Sequence, residues 1–598
     1  MAYHEIQPPL QRIQPSALES EFGFLRVLFV RIFTPENLIT YGLLALILIA
    51  SGVVRFVAAY QGLPYLTVHD EPELAGTAIR MMQTGDFNPH YFNYGSLMMY
   101  VNTAVDVLHY FYLLGQPLHA PDRIDSLDQL VMGVGEYRWY ISHPSFFLWN
   151  RWVVGLMGVA SVGLVFSVGR LLLNRWAGLI GAAFLATTLF HVKHSALVTN
   201  DIPVSFLVLV AATFSLLYLR DTAPGYLIAA LAFCGLAAAC KYNAALSILF
   251  PFAAFGLSIL MLPTNQVIAS PTEGIRVSTG GNGHRVAQSG YRHWLWIALL
   301  TVPPIFFLLG MPYALLDLPE FLLGAGWEVV HYKRLGHGAD TVQRGFPYLL
   351  FQAEQFLSHL GSVGVIAAVI GIVYLLSKRL GWILLFFPLV YLLYMSTMVV
   401  SFHRNFLLLY PIAAVAIGCG VAWIGLKILR RIEIALPKFR QPFILVAAVL
   451  VCTLFAARFV DAAQYSRNIS RLPETRSAMI DEINKVIAAS DQPEAFQLGI
   501  ARELYVHPQD LNRLFVVPTI APHLELVQKF EQYETIISAA TFMDGLDNST
   551  VDTDAAALNR ASATLPPPTF TLAGQEALFL ADWPIINPTL HFYAVRPN

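Results

Sequence analysis

His69-Asp70-Glu71, and a short way on Gly85-Asp86-Phe87-Asn88-Pro89-His90-Tyr91-Phe92-Asn93-Tyr94, follow directly on the apolar segment 38–59. Carboxylates beside a bilayer are costly unless they are solvated or used. Paired acids trailed by an aromatic-rich turn, just past a first membrane segment, therefore point to a reactive site built at a membrane surface. The rest of the chain fits that setting. Of its 598 residues, 56% are hydrophobic and only 13% charged, against about 25% charged in ordinary soluble domains. This composition predicts a mostly α, polytopic membrane helix bundle. No basic stripe lies on a polar domain, so nucleic-acid binding is not expected. Cys234, Cys240, Cys419 and Cys452 all fall in apolar runs and read as small buried residues, neither disulfides nor metal ligands.

A membrane-crossing helix needs about 20 apolar residues. Candidate segments are 38–59, 96–115, 150–173, 176–195, 202–219, 225–240, 244–262, 293–313, 355–376, 381–400, 405–426 and 441–461. Sidedness follows from Lys and Arg, which gather on the cytoplasmic side. Arg170 and Arg175, Arg220, Arg276, Arg285 and Arg292, Lys378 and Arg379, and the group Lys427, Arg430, Arg431, Lys438 and Arg440 fall on one side only if 96–115 does not cross. In that segment Asn102, Asp106 and His109 form a polar stripe at helical spacing, as in a helix lying at the interface. The expected layout is therefore eleven crossings, interfacial helices in the first external loop, a cytoplasmic N-terminal segment 1–37 without signal-peptide features, and a membrane domain 38–461. From 462 to 598 charge returns and short alternating runs appear, which predicts a small external soluble α/β domain with a helix near 474–489.

With that topology the external loops collect polar residues. The first holds Asp70, Glu71, Glu73 and Asp86; the second His191, Lys193, His194, Asn200 and Asp201; the third Lys241-Tyr242-Asn243. The fourth, about 314–350, has His331, Tyr332, Lys333, Arg334, His337 and Asp340, and the fifth His403-Arg404-Asn405. Asp201 precedes Ile202-Pro203 and so equally fits a helix cap, and Lys241 and Arg404 equally fit cations reaching toward lipid headgroups. The histidine spacing matches no zinc motif. Acids and cations facing one cavity suit a carboxylate that takes a proton from an acceptor, with cations that hold a departing phosphate.

Four stretches carry a family resemblance: the first-loop motif from His69 to Leu97; His194-Ser195-Ala196-Leu197-Val198-Thr199-Asn200-Asp201-Ile202-Pro203; Gly235-Leu236-Ala237-Ala238-Ala239-Cys240-Lys241-Tyr242-Asn243; and Arg404-Asn405-Phe406-Leu407-Leu408-Leu409-Tyr410-Pro411. The chain resembles the GT-C membrane glycosyltransferases over roughly 38–426, in particular the protein O-mannosyltransferase-like group that includes the lipid A aminoarabinose transferases. Gly95 stands where the family usually has Pro. The resemblance implies Asp70 as catalytic base, with Glu71 and Asp201 as further acids, and it allows a divalent metal near Asp201. No cofactor is otherwise implied. It also implies Arg151 and Arg404, joined by Lys241, as contacts to the donor phosphate. Asn93, Tyr94, His194, His331 and His337 are candidates for the sugar or acceptor pocket.

The function expected from these residues is inverting transfer of a sugar from a polyprenyl-phosphate donor to a lipid, glycan or protein acceptor on the external face of a bacterial inner membrane. A transporter or flippase for a lipid-linked glycan is the alternative. It should have repeat halves and polar residues near the bilayer midplane, whereas here they sit at helix ends on one side. The topology has a direct check. Reporter fusions after Tyr226 should report the cytoplasm and fusions after Ser490 the outside; the opposite result at either site would rule out the eleven-crossing layout.

Overall fold

The computed structural model describes residues 35–66, 68, 70–132, 141–260, 281–337 and 340–471, and five short strands between 498 and 594. Helices dominate: α1 Pro35–Ala58, α2 Thr77–Thr84, α3 Leu97–Leu114, α4 Ser145–Leu172, α5 Arg175–Thr187, α6 Leu189–His194, α7 Asp201–Asp221 and α8 Pro224–Cys240. They continue as α9 Leu249–Leu260, α10 Gly281–Gly310, α11 Tyr313–Leu316, α12 Leu318–Val330, α13 Phe346–Leu376, α14 Arg379–Met395, α15 Tyr410–Ala435 and α16 Arg440–Ser470. Tight 3₁₀ segments, Tyr242–Ile248 and His403–Leu409, lead into α9 and α15. Among the described residues seven helical stretches are long and apolar enough to cross a membrane, and three shorter apolar helices accompany them. The chain is an integral membrane protein.

Helices pack closely where both partners are small, which in an apolar medium is a main source of association. A Cβ on Gly418 would run into the carbonyl of Ala177, and one on Gly371 into that of Ala416. The outer faces keep large apolar side chains exposed, such as Leu445, Val446, Val449 and Leu450 on α16. The expected crossing at 176–195 is two pieces. Backbone at Thr188 turns extended between α5 and α6, and the Thr188 hydroxyl donates to the Phe184 carbonyl at 2.7 Å. Likewise α13 is two helices joined at Gly361, whose positive φ of 73° suits glycine.

The segment between α1 and α4 leaves and returns at the same end of the bundle. Arg151, in the second turn of α4, donates to the carbonyls of Ala59 and Gln61 just past α1, at 2.8 and 2.7 Å. At the other end of α1, roughly 36 Å away at 1.5 Å per residue, Arg175 meets Glu36 at 2.8 Å and Arg170 donates to the Tyr41 hydroxyl at 2.7 Å. Arg170 and Arg175 and the first-loop acids are thus at opposite ends of α1. Within that segment α3 turns its polar stripe inward: Asn102, Asp106 and His109 are buried, Asp106 accepts from Asn150 at 2.9 Å, and His109 Nε2 lies 2.8 Å from the Ser145 hydroxyl. Its opposite face exposes Leu108, Phe111 and Tyr112.

Toward the C-terminus β1 Leu498–Ile500, β2 Leu524–Leu526, β3 Thr535–Ala539, β4 Phe570–Leu572 and β5 Leu590–Ala594 form one mixed sheet in the order β2-β1-β3-β5-β4. β1 pairs parallel with β2 and β3, while β5 pairs antiparallel with β3 and β4. The helix expected near 474–489 lies outside the described residues.

The first loop is anchored by one ion pair. Glu71 takes two hydrogen bonds from Arg151, both at 2.7 Å, and a third from the Val198 amide at 2.9 Å. Both side chains have 0% exposure. Removing one partner of such a pair leaves an uncompensated buried charge, at a cost of about 3–5 kcal/mol. Glu71→Leu and Arg151→Met should each lower the unfolding temperature in detergent markedly, and the double variant Glu71→Leu/Arg151→Met should lose less than the sum. Full additivity would mean that the two residues do not act as a pair.

Candidate active site

The local chain sets the site's positions. Asp70 begins the turn that carries Glu71, so the buried pair fixes Asp70 one residue away from it. Asp201 starts α7, Lys241 ends α8, and Arg404 lies on the 3₁₀ segment before α15. That segment is pinned from three sides. Ser205 donates to the Leu407 carbonyl at 3.2 Å, Tyr391 donates to the Asn405 carbonyl at 2.8 Å, and His403 meets Gln352 Oε1 at 2.6 Å and the Tyr410 hydroxyl at 2.7 Å.

Two acid–base pairs result. Arg404 stands 3.7 Å from Asp70, and Lys241 lies 2.6 Å from Asp201. Tyr94 donates to the other oxygen of Asp70 at 3.1 Å, and the Arg404 guanidinium lies over the Phe402 ring at 4.2 Å. Beside these pairs is a cavity of about 140 Å³, whose walls include Asn93, Tyr94, Lys241, Tyr242, Asn243 and Tyr332. The Tyr242 hydroxyl donates to the carbonyl of Phe92 at 2.7 Å and lies 3.2 Å from that of Tyr94, stitching the first loop to the end of α8. Gly95 makes that approach feasible, since a Cβ there would collide with the carbonyl of Ala239. Its glycine, read from the sequence as a departure, is the residue this contact requires.

Of the residues singled out in the sequence, Asp70, Asp201, Lys241, Arg404, Asn93 and Tyr94 are brought together here. Glu71 and Arg151 lie behind the site in the buried pair, and neither has exposed surface in this conformation. His194 is buried on α6, where its Nδ1 lies 2.9 Å from the Phe190 carbonyl. His331 and His337 pair with each other at 3.3 Å, and His337 packs its ring against Phe402. None of these three histidines is among the cavity walls.

The metal allowed near Asp201 does not fit the groups found there, because an ammonium already occupies one carboxylate oxygen at 2.6 Å. Among the described residues the His and acid grouping at metal-like spacing is His90, Asp317 and Glu320, elsewhere on the first loop and at the start of α12.

Sequence reading missed Glu328. It sits on α12, inside a stretch expected to be a loop, and its carboxyl lines the cavity. Burial pushes it up to about 7; nearby Lys241 and Arg404 draw it down, and Asp70 pushes it further up. The available signal was its spacing: Glu328 and Tyr332 are four apart, on one face of a helix.

The comparisons agree in kind with the resemblance read from the motifs. Residues 148–272 match the family model described as dolichyl-phosphate-mannose-protein mannosyltransferase. The chain is similar to membrane glycosyltransferases of the mannosyltransferase and aminoarabinose-transferase kind. Among solved structures, ArnT from Cupriavidus metallidurans in the apo state is 13% identical, with 92% of this chain and 98% of that chain covered at a TM-score of 0.45. The archaeal oligosaccharyltransferase AglB from Archaeoglobus fulgidus, solved with an inhibitory peptide and a dolichol-phosphate, is 12% identical, covering 84% and 70% at a TM-score of 0.45. The S. cerevisiae protein O-mannosyltransferase Pmt1-Pmt2 complex bound to the sugar donor is 16% identical, covering 48% and 35% at a TM-score of 0.32. No curated protein matches the chain.

Proposed function

We propose that this chain is an inverting glycosyltransferase that moves a sugar from a polyprenyl-phosphate donor to an acceptor at the external face of a bacterial inner membrane. The observation that carries the reading is the convergence of two acid–base pairs, Asp70 with Arg404 and Asp201 with Lys241, beside one cavity at a single end of the helix bundle. A carboxylate and cations within reach of each other supply the two functions that transfer from a phosphate needs. Eleven crossings, an interfacial α3 and an external α/β domain at 462–598 complete this reading. The return of the first loop to the end of the bundle it left supports a non-crossing α3.

In the proposed step Asp70 takes the proton of the acceptor hydroxyl or amine. The freed electron pair attacks the anomeric carbon from the face opposite the phosphate. The bond from that carbon to the phosphate oxygen breaks, the electron pair leaves with the polyprenyl phosphate, and Arg404 holds the charge that develops. An arginine suits this role because its planar fork meets two phosphate oxygens at once. Lys241, which lines the cavity, holds Asp201 just behind it, and Asp201 orients the acceptor through this pair. Arg151 and Glu71 act one layer back: they fix the turn from which Asp70 projects.

Two substitutions separate base from phosphate contact. Asp70→Asn keeps shape and polarity but cannot take a proton, so turnover should fall by about 10²–10⁴ with donor binding retained. Arg404→Ala removes a charged contact of about 1.5–3 kcal/mol, so donor affinity should fall roughly tenfold to a hundredfold. Wild-type turnover in Asp70→Asn, measured with a verified donor, would contradict the mechanism. Unchanged donor affinity in Arg404→Ala would place the phosphate elsewhere.

A further inference from the structure

Among the described residues Glu328 is the one acid lining the cavity itself, and the proposed step leaves it unused. It faces cations and acids that are already matched. Asp201 holds Lys241 at 2.6 Å, and Asp70 has Arg404 at 3.7 Å. On its own segment the His331 ring nitrogen is 3.6 Å away, and Tyr332 and Lys333 continue the wall. The remaining walls combine amides and phenols, Asn93 and Tyr94 from the first loop, Tyr242 and Asn243 from the third and Tyr394 from α14, with the apolar Ala325, Val329, Met395 and Met398. Amides and phenols around a cavity of this size suit a ring that carries hydroxyls.

We propose that Glu328 is a specificity-determining residue that, as a neutral acid, hydrogen-bonds an uncharged glycosyl group of the lipid-linked donor seated in this cavity. The inference rests on the glycosyl-transfer reading and extends it to the class of sugar. A ring filling the cavity expels water from around the carboxyl. Without water the ionised carboxylate is disfavoured, and Asp70 adds to this against the pull of Lys241 and Arg404. Binding of an uncharged sugar and protonation of Glu328 therefore favour each other, while a sugar bearing an ammonium would favour the ionised form. Burial already places Glu328 at about 7, so the two cases diverge across the neutral range. The sign follows: the protonated form is present below about pH 7 and is lost as pH rises through it. Burial holds His331 and His337 below the ordinary histidine value.

The test uses the full chain in lipid nanodiscs at pH 6 and pH 8.5. The probes are undecaprenyl phosphate, a panel of polyprenyl-phosphate hexoses and pentoses, and an amino-sugar member of the same series. For an uncharged sugar donor the wild type should bind about tenfold more weakly at pH 8.5, the worth of one good hydrogen bond. Glu328→Gln, which keeps a donor without titrating, should bind equally at both pH values, near the wild-type affinity at pH 6. Glu328→Ala should bind weakly at both. The proposal is overturned if wild type and Glu328→Gln share one pH profile, or if the amino-sugar lipid is the preferred ligand and binds better at pH 8.5. It is also overturned if sugar-bearing lipids bind no differently from undecaprenyl phosphate, an outcome that leaves the lipid-phosphate reading standing. Binding of neither the sugar lipids nor undecaprenyl phosphate would remove the glycosyl-transfer reading itself, and this inference with it.

Discussion

A glutamate and an arginine with no exposed surface, Glu71 and Arg151, hold the first loop against the helix bundle. Taking two charges out of water costs several kcal/mol for each ion, and only good geometry with further hydrogen bonds offsets it. Here the geometry is two-pronged, and the remaining capacity is filled by backbone: the carbonyls of Ala59 and Gln61 on the arginine, the amide of Val198 on the glutamate. Three stretches far apart in sequence therefore meet at one point. They are the end of α1, the start of α4 and the approach to α7, and they set where Asp70 and Asp201 stand. A loop tied this firmly is held against the bundle, which is what the proposed role of Asp70 as base would require.

Beside the cavity two acids, Asp70 and Asp201, each have a cation next to them, and the pairs come from four different connections between helices. In a low-dielectric surround unpaired charges would be expensive, so the pairing keeps the site folded without a ligand. A phosphate entering such a site can exchange one partner for another, with no charge left uncovered. Glu328 stands outside this pairing and is the group that burial perturbs.

Much of this was legible in the sequence, and the limits are physical. Composition and apolar segment lengths identify a membrane protein; that 96–115 does not change sides is part of the proposed topology and rests on the one-sided basic residues. The acids and cations of the loops at this end of the bundle were legible as a set, because charge in short connections needs a reason. Their pairing was not: nothing in spacing distinguishes Arg151, sealed against Glu71, from Arg404, beside the cavity. Glu328 was missed because α12 was read as a loop, and a single acid in an apolar stretch has no periodicity of its own. The break at Thr188 was hidden for a related reason. An apolar run looks continuous until a threonine hydroxyl competes for the backbone.

The central claim is that the cavity flanked by Asp70 and Arg404 transfers a sugar from a lipid phosphate, and one measurement meets it most directly. Purified protein in nanodiscs is incubated with a panel of radiolabelled polyprenyl-phosphate sugars and an extract of envelope acceptors, and the lipid and product fractions are counted. The account predicts that with at least one donor the label leaves the lipid, unlabelled polyprenyl phosphate accumulates in equal amount, and Asp70→Asn stops both. Labelled donors that stay intact throughout, while the same protein in sealed vesicles carries them across the bilayer, would contradict it and make the chain a transporter of lipid-linked sugars.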